Sequence, residues 1–270
     1  MNFKKTYRQK DGFTPLCTVG ESSFQQLEFG IIELHAGQSC NFSTGEREAA
    51  FIILGGIADF RFDDVVWENV GGRRSVFEGK AHSVYIPRRK TVTVSTPWSV
   101  KIAVCTAPIQ EDTAAEIVGP DRVRVVKLGQ KTWERETHFL IDASTNAKRL
   151  TIGEAFVTPG NWAGFPPHKH DVDAMPQEGV LEEFYYFLFQ PKQGFGIQCM
   201  YTADGRIDEC YRVKSDDLVE FPEGYHTTVV APGYNSYFLW AMAGEHQGFY
   251  RSNDPDHEWV SALENVLKKL

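Results

Sequence analysis

The chain has 270 residues, of which 42% are hydrophobic and 24% charged, enough to bury a core in one large domain or two of ordinary size. Its 28 basic and 36 acidic residues give a net charge of -8, and no basic run is longer than Arg88-Arg89-Lys90. This composition argues against disorder and against a nucleic-acid partner.

The cysteines and the apolar runs bear on the compartment. Five cysteines, an odd number, show no C-x-x-C spacing, which argues against a disulfide framework. The N-terminus lacks an apolar leader, and the most apolar stretch, residues 49–60, is too short to span a bilayer. We therefore expect a cytoplasmic protein without membrane contact.

Short apolar or alternating runs, separated by Gly, Pro and Asp turns, dominate the chain. This pattern predicts an all-β fold. The clearest candidate strands, in chain order, are Phe51–Leu54, Val92–Val94, Phe184–Phe189, Asp217–Phe221 and Tyr237–Met242.

Only the C-terminus predicts a helix. Asp254 and Pro255 suit a cap and first turn, and Lys268-Lys269 suit the negative end of the helix dipole. We expect this helix to pack against a barrel through one apolar face, formed by Trp259, Leu263, Val266 and Leu267.

The chain also contains a hidden duplication. Glu48 and Pro87 recur 135 residues later as Glu183 and Pro222, each in a similar context. Upstream, the residues that recur at an offset of 123 are Leu27, Gly30 and Gly37, which match Leu150, Gly153 and Gly160. We therefore predict two domains, residues 1–115 and 116–270, joined by a polar connector.

The second copy has gained 12 residues between Gly160 and Glu183. In this alignment Gly45 and Arg47 stand opposite two histidines of the second copy, and Thr91 stands opposite a third. Glu48 would then be the only ligand-type residue of the first copy, so we expect that copy to lack a metal site.

Four residues of the second copy predict a metal centre. His168 and His170 are two apart after Pro166-Pro167, so they project from the same face of an extended strand. Glu183 opens a strand, and His226 follows a turn in which Gly224 can take a positive φ. Three imidazoles and a carboxylate suit one divalent ion, for which we expect Zn, with Mn, Fe, Co or Ni as alternatives.

The identity of the carboxylate ligand is open between Glu182 and Glu183. We prefer Glu183 because it matches Glu48 at the same offset of 135 residues as the two prolines. In addition, Tyr185 and Phe187 would then share the barrel interior with it.

Longer motifs carry a resemblance to a known family. The chain resembles the 5-deoxy-glucuronate isomerases of bacterial myo-inositol catabolism over nearly its whole length. The motifs are Gly164-Phe-Pro-Pro-His-Lys-His-Asp171, Glu182-Glu-Phe-Tyr-Tyr-Phe187, Gly194-Phe-Gly-Ile-Gln198, Phe221–Tyr234 and Tyr237–Gly244.

The resemblance implies two tandem cupin (jelly-roll) barrels with a short C-terminal helix. It also implies an aldose-ketose isomerisation of 5-deoxy-glucuronate to 5-dehydro-2-deoxy-gluconate. The general cupin pattern has fewer residues between His-x-His and Glu than this chain does, and we expect the extra loop, Asp171–Leu181, to cover the barrel mouth and shape the pocket.

Three further residues are candidates for handling a sugar-acid substrate. Tyr185, two residues after Glu183, is the residue we name for proton transfer. Gln198 should point inward and could bind a hydroxyl or a metal-bound water. Arg251 could bind the substrate carboxylate if the C-terminal tail folds back over the barrel.

Competing functions remain at this stage. The same ligands suit an iron-dependent cupin oxygenase, a non-catalytic cupin would keep only a sugar pocket, and a related family isomerises a deoxy-hexulose uronate in pectin breakdown. Because two-barrel cupins often associate through sheet edges, we also expect a homo-oligomer.

Overall fold

The computed structural model describes residues 2–267, and almost all of its regular structure is β. The strands of the first part are β1 (Lys4–Thr6), β2 (Gly12–Cys17), β3 (Glu28–Leu34), β4 (Ser39–Ser43), β5 (Arg47–Phe62), β6 (Val65–Gly71), β7 (Ser83–Ile86), β8 (Thr91–Ser95), β9 (Val100–Pro108) and β10 (Glu116–Val118).

The second part continues the pattern and ends in a helix. Its elements are β11 (Arg124–Leu128), β12 (Arg135–Ile141), β13 (Leu150–Val157), β14 (Trp162–Lys169), β15 (Leu181–Gln190), β16 (Phe195–Tyr201), β17 (Asp208–Lys214), β18 (Asp217–Phe221), β19 (Tyr225–Val230), β20 (Asn235–Gly244), β21 (Ser252–Asn253) and α1 (Trp259–Leu267). Two short 3₁₀ helices are Lys131–Trp133 and Pro255–His257.

The first half is built around the long strand β5. The N-terminal part of β5 lies in the order β10-β7-β5-β9-β3-β2, and its C-terminal part pairs with β6 and β8, which brings in β4. Apolar side chains such as Ile32, Phe51, Phe60, Val94 and Ile102 fill the interior of this half.

The second half has two sheets. One is seven-stranded, in the order β1-β18-β15-β20-β13-β12-β11, and the other is five-stranded, in the order β17-β16-β19-β14-β21. The interior between them is lined by aromatic residues such as Tyr185, Phe187, Phe238 and Trp240. Alternation along β15 sends odd-numbered residues to this interior and even-numbered residues to the other half.

The halves exchange their first strands. Strand β1 pairs with β18 of the second half, and β10, which begins the second half in sequence, pairs with β7 of the first. A common apolar layer joins the halves, with the rings of Phe29 and Phe184 at 4.4 Å between centroids. The sequence boundary at residues 115 and 116 thus divides the chain but not the sheets, and short exchanged strands carry no sequence signal that would reveal them.

Strand pairing corrects the predicted alignment of the copies by one residue. Ile86, just before Pro87, pairs with Ala49, whereas Phe221, just before Pro222, pairs with Glu183. Ala49 therefore occupies the position of Glu183 in the first half. Because one residue of slip moves a side chain to the opposite face of a sheet, the phase argument for Glu183 was wrong.

The true counterpart of Glu48 is Glu182. Glu48 accepts hydrogen bonds from the backbone N–H groups of residues 148–150, and Glu182 accepts them from residues 25–27. These two segments are themselves 123 residues apart, as the duplication predicts. Each carboxylate therefore fixes its own half to the other.

The predicted opposition of Gly45 and Arg47 to the two histidines also fails. Ser43 pairs with Thr91 across β4 and β8, just as His168 pairs with His226 across β14 and β19. The side chain of Arg47 instead pairs with Glu28, at 3.0 Å between Nε and the carboxylate.

The C-terminal helix was expected, but its buried face was not. The Asp254 side chain accepts a hydrogen bond from the Asp256 N–H, which caps the 3₁₀ turn ahead of α1. In α1 the buried residue is Val260, whereas Trp259 is 64% exposed and Leu263 and Val266 are also exposed. The predicted apolar face therefore points outward, and Lys268 and Lys269 lie outside the described residues. No helix within residues 2–267 is long and apolar enough to cross a bilayer.

Candidate metal centre

The predicted histidines converge inside the second half. His168 lies near the end of β14, His170 follows that strand, and His226 pairs with His168 from β19. All three side chains are buried. Gly224, in the turn before His226, has φ +88°, where an added Cβ would lie 2.6 Å from the Tyr201 carbonyl oxygen. Glycine is therefore required there.

Glu183 completes the cluster from β15. Its Oε2 lies 2.9 Å from His170 Nε2 and 3.0 Å from His226 Nε2. The potential ligand atoms of His168, Glu183 and His226 all lie within 4.8 Å of one another. Within residues 2–267 this is the one such group of His, Cys, Asp or Glu side chains.

Backbone carbonyls orient all three rings. A carbonyl near Nδ1 favours the tautomer with a proton there and leaves Nε2 with its lone pair. The Nδ1 contacts are His168 to Gly164 O at 3.3 Å, His170 to Leu181 O at 2.6 Å and His226 to Gly224 O at 3.5 Å.

For three of the four cluster residues the pKa shifts favour the unprotonated forms that bind a metal, and His170 is the exception. Burial lowers the pKa of His168 far below its usual value and also lowers that of His226. Burial alone would raise the pKa of Glu183, but the hydrogen bond with His170 and the nearby imidazole of His226 lower it to about 2. Burial acts against protonation of His170, yet its hydrogen bond to Glu183 raises its pKa.

One buried nitrogen of the cluster is left without a hydrogen bond. His226 Nε2 has no hydrogen-bond partner of acceptable geometry among residues 2–267, although Glu183 is near it. A buried nitrogen acceptor in this state is costly unless another ligand satisfies it. Together with the neighbouring imidazoles and carboxylate, it forms a donor set that fits a divalent ion.

The structure separates the two candidate carboxylates. Glu183 lies within the histidine cluster, whereas both oxygens of Glu182 accept backbone N–H groups of the first half. Sequence reasoning therefore selected the residue that lies in the cluster, although its argument from the duplication was wrong.

A small cavity of about 30 Å³ opens beside the cluster. His168, Glu183, Tyr185 and Arg251 are among its lining residues. Tyr185 stacks on Phe238 at 4.3 Å between ring centroids, and burial raises its pKa far above 10. Its hydroxyl therefore stays protonated at neutral pH.

Arg251 reaches this cavity because the tail folds back, as the sequence suggested. Strand β21 pairs with the end of β14, and the Asp254 N–H donates to the Pro167 carbonyl at 2.8 Å. The Arg251 guanidinium lies 4.9 Å from the centroid of the Phe249 ring.

Gln198 points into the interior of the second half, but it does not line this cavity. Its Nε2 donates to the Thr227 carbonyl at 2.9 Å and to the Cys199 carbonyl at 3.0 Å. Its buried Oε1 has no hydrogen-bond partner in the described part of the chain.

The loop at residues 171–181, expected to shape the pocket, does not line this small cavity. Glu178 accepts hydrogen bonds from Lys169, from the Asp171 and Val172 N–H groups and from Ser252, so the loop is tied to the tail. Of the described residues, none between 172 and 180 lines the cavity, whereas Phe249 and Arg251 do.

Sequence reasoning missed Arg135, at the start of β12, which lines the same cavity and is 7% exposed. Arg135 belongs to no motif, and the sequence could have indicated it only through the alternation of inward and outward side chains along its strand. Two larger clefts, of about 780 and 630 Å³, contain none of the four cluster residues.

Solved structures of known proteins identify the class of fold. A Bacillus subtilis oxalate decarboxylase, described with Mn(II) centres, matches with a TM-score of 0.63 over 93% of this chain and 79% of its own, at 12% identity. An IolB-like protein of Salmonella typhimurium LT2 matches with a TM-score of 0.93, over 97% of this chain and all of its own, at 31% identity.

The two β halves are those of a tandem cupin protein, and the predicted fold class is confirmed. The profile of the KduI/IolB family matches residues 3–260. The chain belongs to the KduI/IolB family.

Curated relatives agree with this assignment. The 5-deoxy-glucuronate isomerase of Geobacillus kaustophilus (strain HTA426) is 38% identical over 96% of this chain and 95% of its own length. The enzyme of the same name from Bacillus subtilis (strain 168) is 34% identical over 90% of each chain. The chain is accordingly an enzyme of the isomerase class.

Proposed function

We propose that this protein converts 5-deoxy-glucuronate to 5-dehydro-2-deoxy-gluconate in myo-inositol catabolism, with a divalent ion held by His168, His170, Glu183 and His226. The observation that carries the proposal is the buried group of His168, Glu183 and His226, which His170 joins through its contact with Glu183, beside a cavity that also contains Tyr185 and Arg251. Relatives named for this reaction extend along nearly the whole chain.

Zn is our first choice for the ion, with Mn, Fe, Co or Ni as alternatives, and when bound it would act as a Lewis acid on the substrate oxygens. The side chains of the protein hold and orient the substrate. Arg251 binds the carboxylate through its planar fork of N–H groups. Burial of the site excludes water and so strengthens each polar contact.

Tyr185 handles a proton at its hydroxyl. Because its raised pKa keeps the proton on, it acts on oxygen, donating to the carbonyl oxygen and recovering a proton from the neighbouring hydroxyl, while an ordered water takes up the proton lost from C2 and returns one to C1. We assign Gln198 to a supporting role, in which the free Oε1 accepts a hydrogen bond from a substrate hydroxyl or an ordered water.

The cellular setting forms part of the proposal. We propose a cytoplasmic homo-oligomer whose partner is a small sugar acid, without nucleic acid or membrane. The five cysteines are free thiols, as in a reducing compartment. Light scattering coupled to size exclusion tests the assembly, and a monomer at micromolar concentration would contradict it.

The reaction is tested by NMR in deuterated water without oxygen. We expect the wild type to form the ketose and to incorporate deuterium, and His168→Ala to lose activity together with bound metal. The control is His35→Ala, an exposed histidine of the first half, which should match the wild type. A metal-replete wild type that leaves the substrate unchanged would overturn the assignment, and oxygen consumption would indicate an oxygenase.

A further inference from the structure

Two guanidiniums, not one, face the cavity beside the metal cluster. Arg135 reaches it from β12, and Arg251 reaches it from the tail on the other side. The cavity is also lined by His168 and Glu183, so both arginines share it with two of the candidate ligands.

Neither guanidinium has a carboxylate partner. Within residues 2–267, no carboxylate oxygen lies within 4.0 Å of a side-chain nitrogen of Arg135 or Arg251. Among the described residues, Arg135 donates a single long hydrogen bond, 3.4 Å, to the Trp133 carbonyl. The charge of Glu264 on α1 acts to raise the pKa of both arginines, but from beyond ion-pair distance.

Another buried arginine shows what a satisfied guanidinium looks like in this protein. Arg73 has a side chain 3% exposed and forms an ion pair with both oxygens of Glu154. Arg135 is as buried as Arg73, each residue being 7% exposed, but it has no such pair, and burial together with the charge of Arg251 lowers its pKa to about 10. Buried cations without a counter-ion are costly, which points to an anion that the protein binds from outside.

We propose that Arg135 and Arg251 together bind the carboxylate of the sugar acid and select uronates over neutral sugars. This assignment rests on the proposed function for the identity of the anion. Two guanidiniums offer parallel N–H pairs that match a carboxylate from two sides, and they place the far end of the substrate while the cluster takes the aldehyde end.

The two arginines contribute differently. A cavity of about 30 Å³ is far smaller than a hexuronate, so part of its lining must move on binding. Arg135 lies in a strand paired on both sides, by β11 and β13, whereas residues 245–251 lie outside any strand. Arg135 is therefore the fixed cation, and Arg251 moves aside and closes over the substrate.

The first test compares Arg135→Gln, Arg251→Gln and the control Arg74→Gln, whose side chain is 89% exposed. For the uronate we expect KM to rise about 10- to 100-fold in both cavity variants, the loss of a hydrogen bond to a charged group. For the neutral analogue with a hydroxymethyl group in place of the carboxylate, we expect kcat/KM to stay within about three-fold of wild type. Arg135→Lys should recover part of the uronate KM.

An equal loss on both substrates would overturn the proposal, because it would assign Arg135 to the fold or to the cluster. An unchanged uronate KM would overturn it as well. Thermal unfolding checks folding, and we expect no destabilisation of Arg135→Gln, since it removes a buried charge.

A binding experiment keeps this test independent of the reaction. L-Gulonate has a carboxylate but no aldehyde, so it cannot be isomerised, and calorimetry measures its affinity without turnover. We expect binding to weaken in both cavity variants and to persist in Arg74→Gln, even if the wild type fails to isomerise 5-deoxy-glucuronate. Equal affinity in all four proteins would overturn the carboxylate site and leave the proposed reaction standing.

Discussion

The two halves of the molecule share strand pairing but differ in what fills them. Ala49 in the first half stands where Glu183 stands in the second, and Ser43 and Thr91 stand where His168 and His226 do. The interior of the first half is packed with aliphatic and aromatic side chains. The same scaffold thus supports an apolar core in one copy and a buried polar cluster in the other.

This difference indicates a division of labour after duplication. The interface has kept its symmetry, because Glu48 and Glu182 make equivalent contacts with three successive N–H groups of the opposite half. The interiors have not kept theirs. We infer that the first half stabilises the second, while the second carries the chemistry.

Placing a carboxylate in the first half should have the largest effect. Ala49→Glu would bury a charge in an interior without histidines, at a cost of several kcal/mol. Urea unfolding measures the loss, and Ala49→Ser is the small polar control. A variant as stable as the wild type would show that the first interior can accept a polar cluster.

Removing one buried ring from the interior of each half should separate effects on stability from effects on activity. Phe51→Ala removes a fully buried ring of the first half and should cost about 3–5 kcal/mol, with little change in kcat for the protein that remains folded. Phe238→Ala removes the ring that stacks on Tyr185, so stability and kcat should both fall. Calorimetry and initial rates distinguish the two, and a strong fall in kcat for Phe51→Ala would contradict the division.

Removal of metal should act through the second half alone. If an ion binds only the folded state, an excess of 100 times its dissociation constant adds about 2.7 kcal/mol of stability, which a chelator would remove. We expect the thermal midpoint to fall on chelation in the wild type. In Glu183→Gln the midpoint should respond little, and an equal response in both would argue against the cluster.

The paired interface carboxylates should give the smallest and most symmetric effects. Glu48→Gln and Glu182→Gln should each cost about 1–3 kcal/mol, since an amide oxygen accepts fewer and weaker hydrogen bonds from the facing N–H groups. Activity per folded molecule should be unchanged in both. Urea unfolding with rate assays checks this, and loss of turnover in Glu182→Gln alone would contradict the symmetry.

Much of this architecture could be predicted from local patterns. His168 and His170 are two apart in an extended segment, and that spacing alone places both rings on one face. Alternating apolar runs predicted the strands, and the recurring Pro87 and Pro222 aligned the turns that follow β7 and β18.

The failures have physical causes. An alignment of the two copies by sequence spacing can be wrong by one residue when a strand is irregular, as β5 is at its register shift between Ile53 and Gly55. Because an error of one residue reverses the face of the strand, Glu48 was assigned to the wrong face. A sequence shows that a helix has an apolar face but not which part of the protein packs against that face. Trp259, on the predicted apolar face, is exposed. Arg135 became visible only when the fold placed β12 beside the tail.

The central claim is that only the second half binds an ion, and metal content tests it most directly. We would measure bound metal per chain by elemental analysis in the wild type, Glu183→Gln and Glu182→Gln, three proteins that differ at adjacent residues on opposite faces of β15. The account predicts one ion in the wild type and in Glu182→Gln and a large loss in Glu183→Gln. Full occupancy in Glu183→Gln, or a second ion per chain in the wild type, would contradict it.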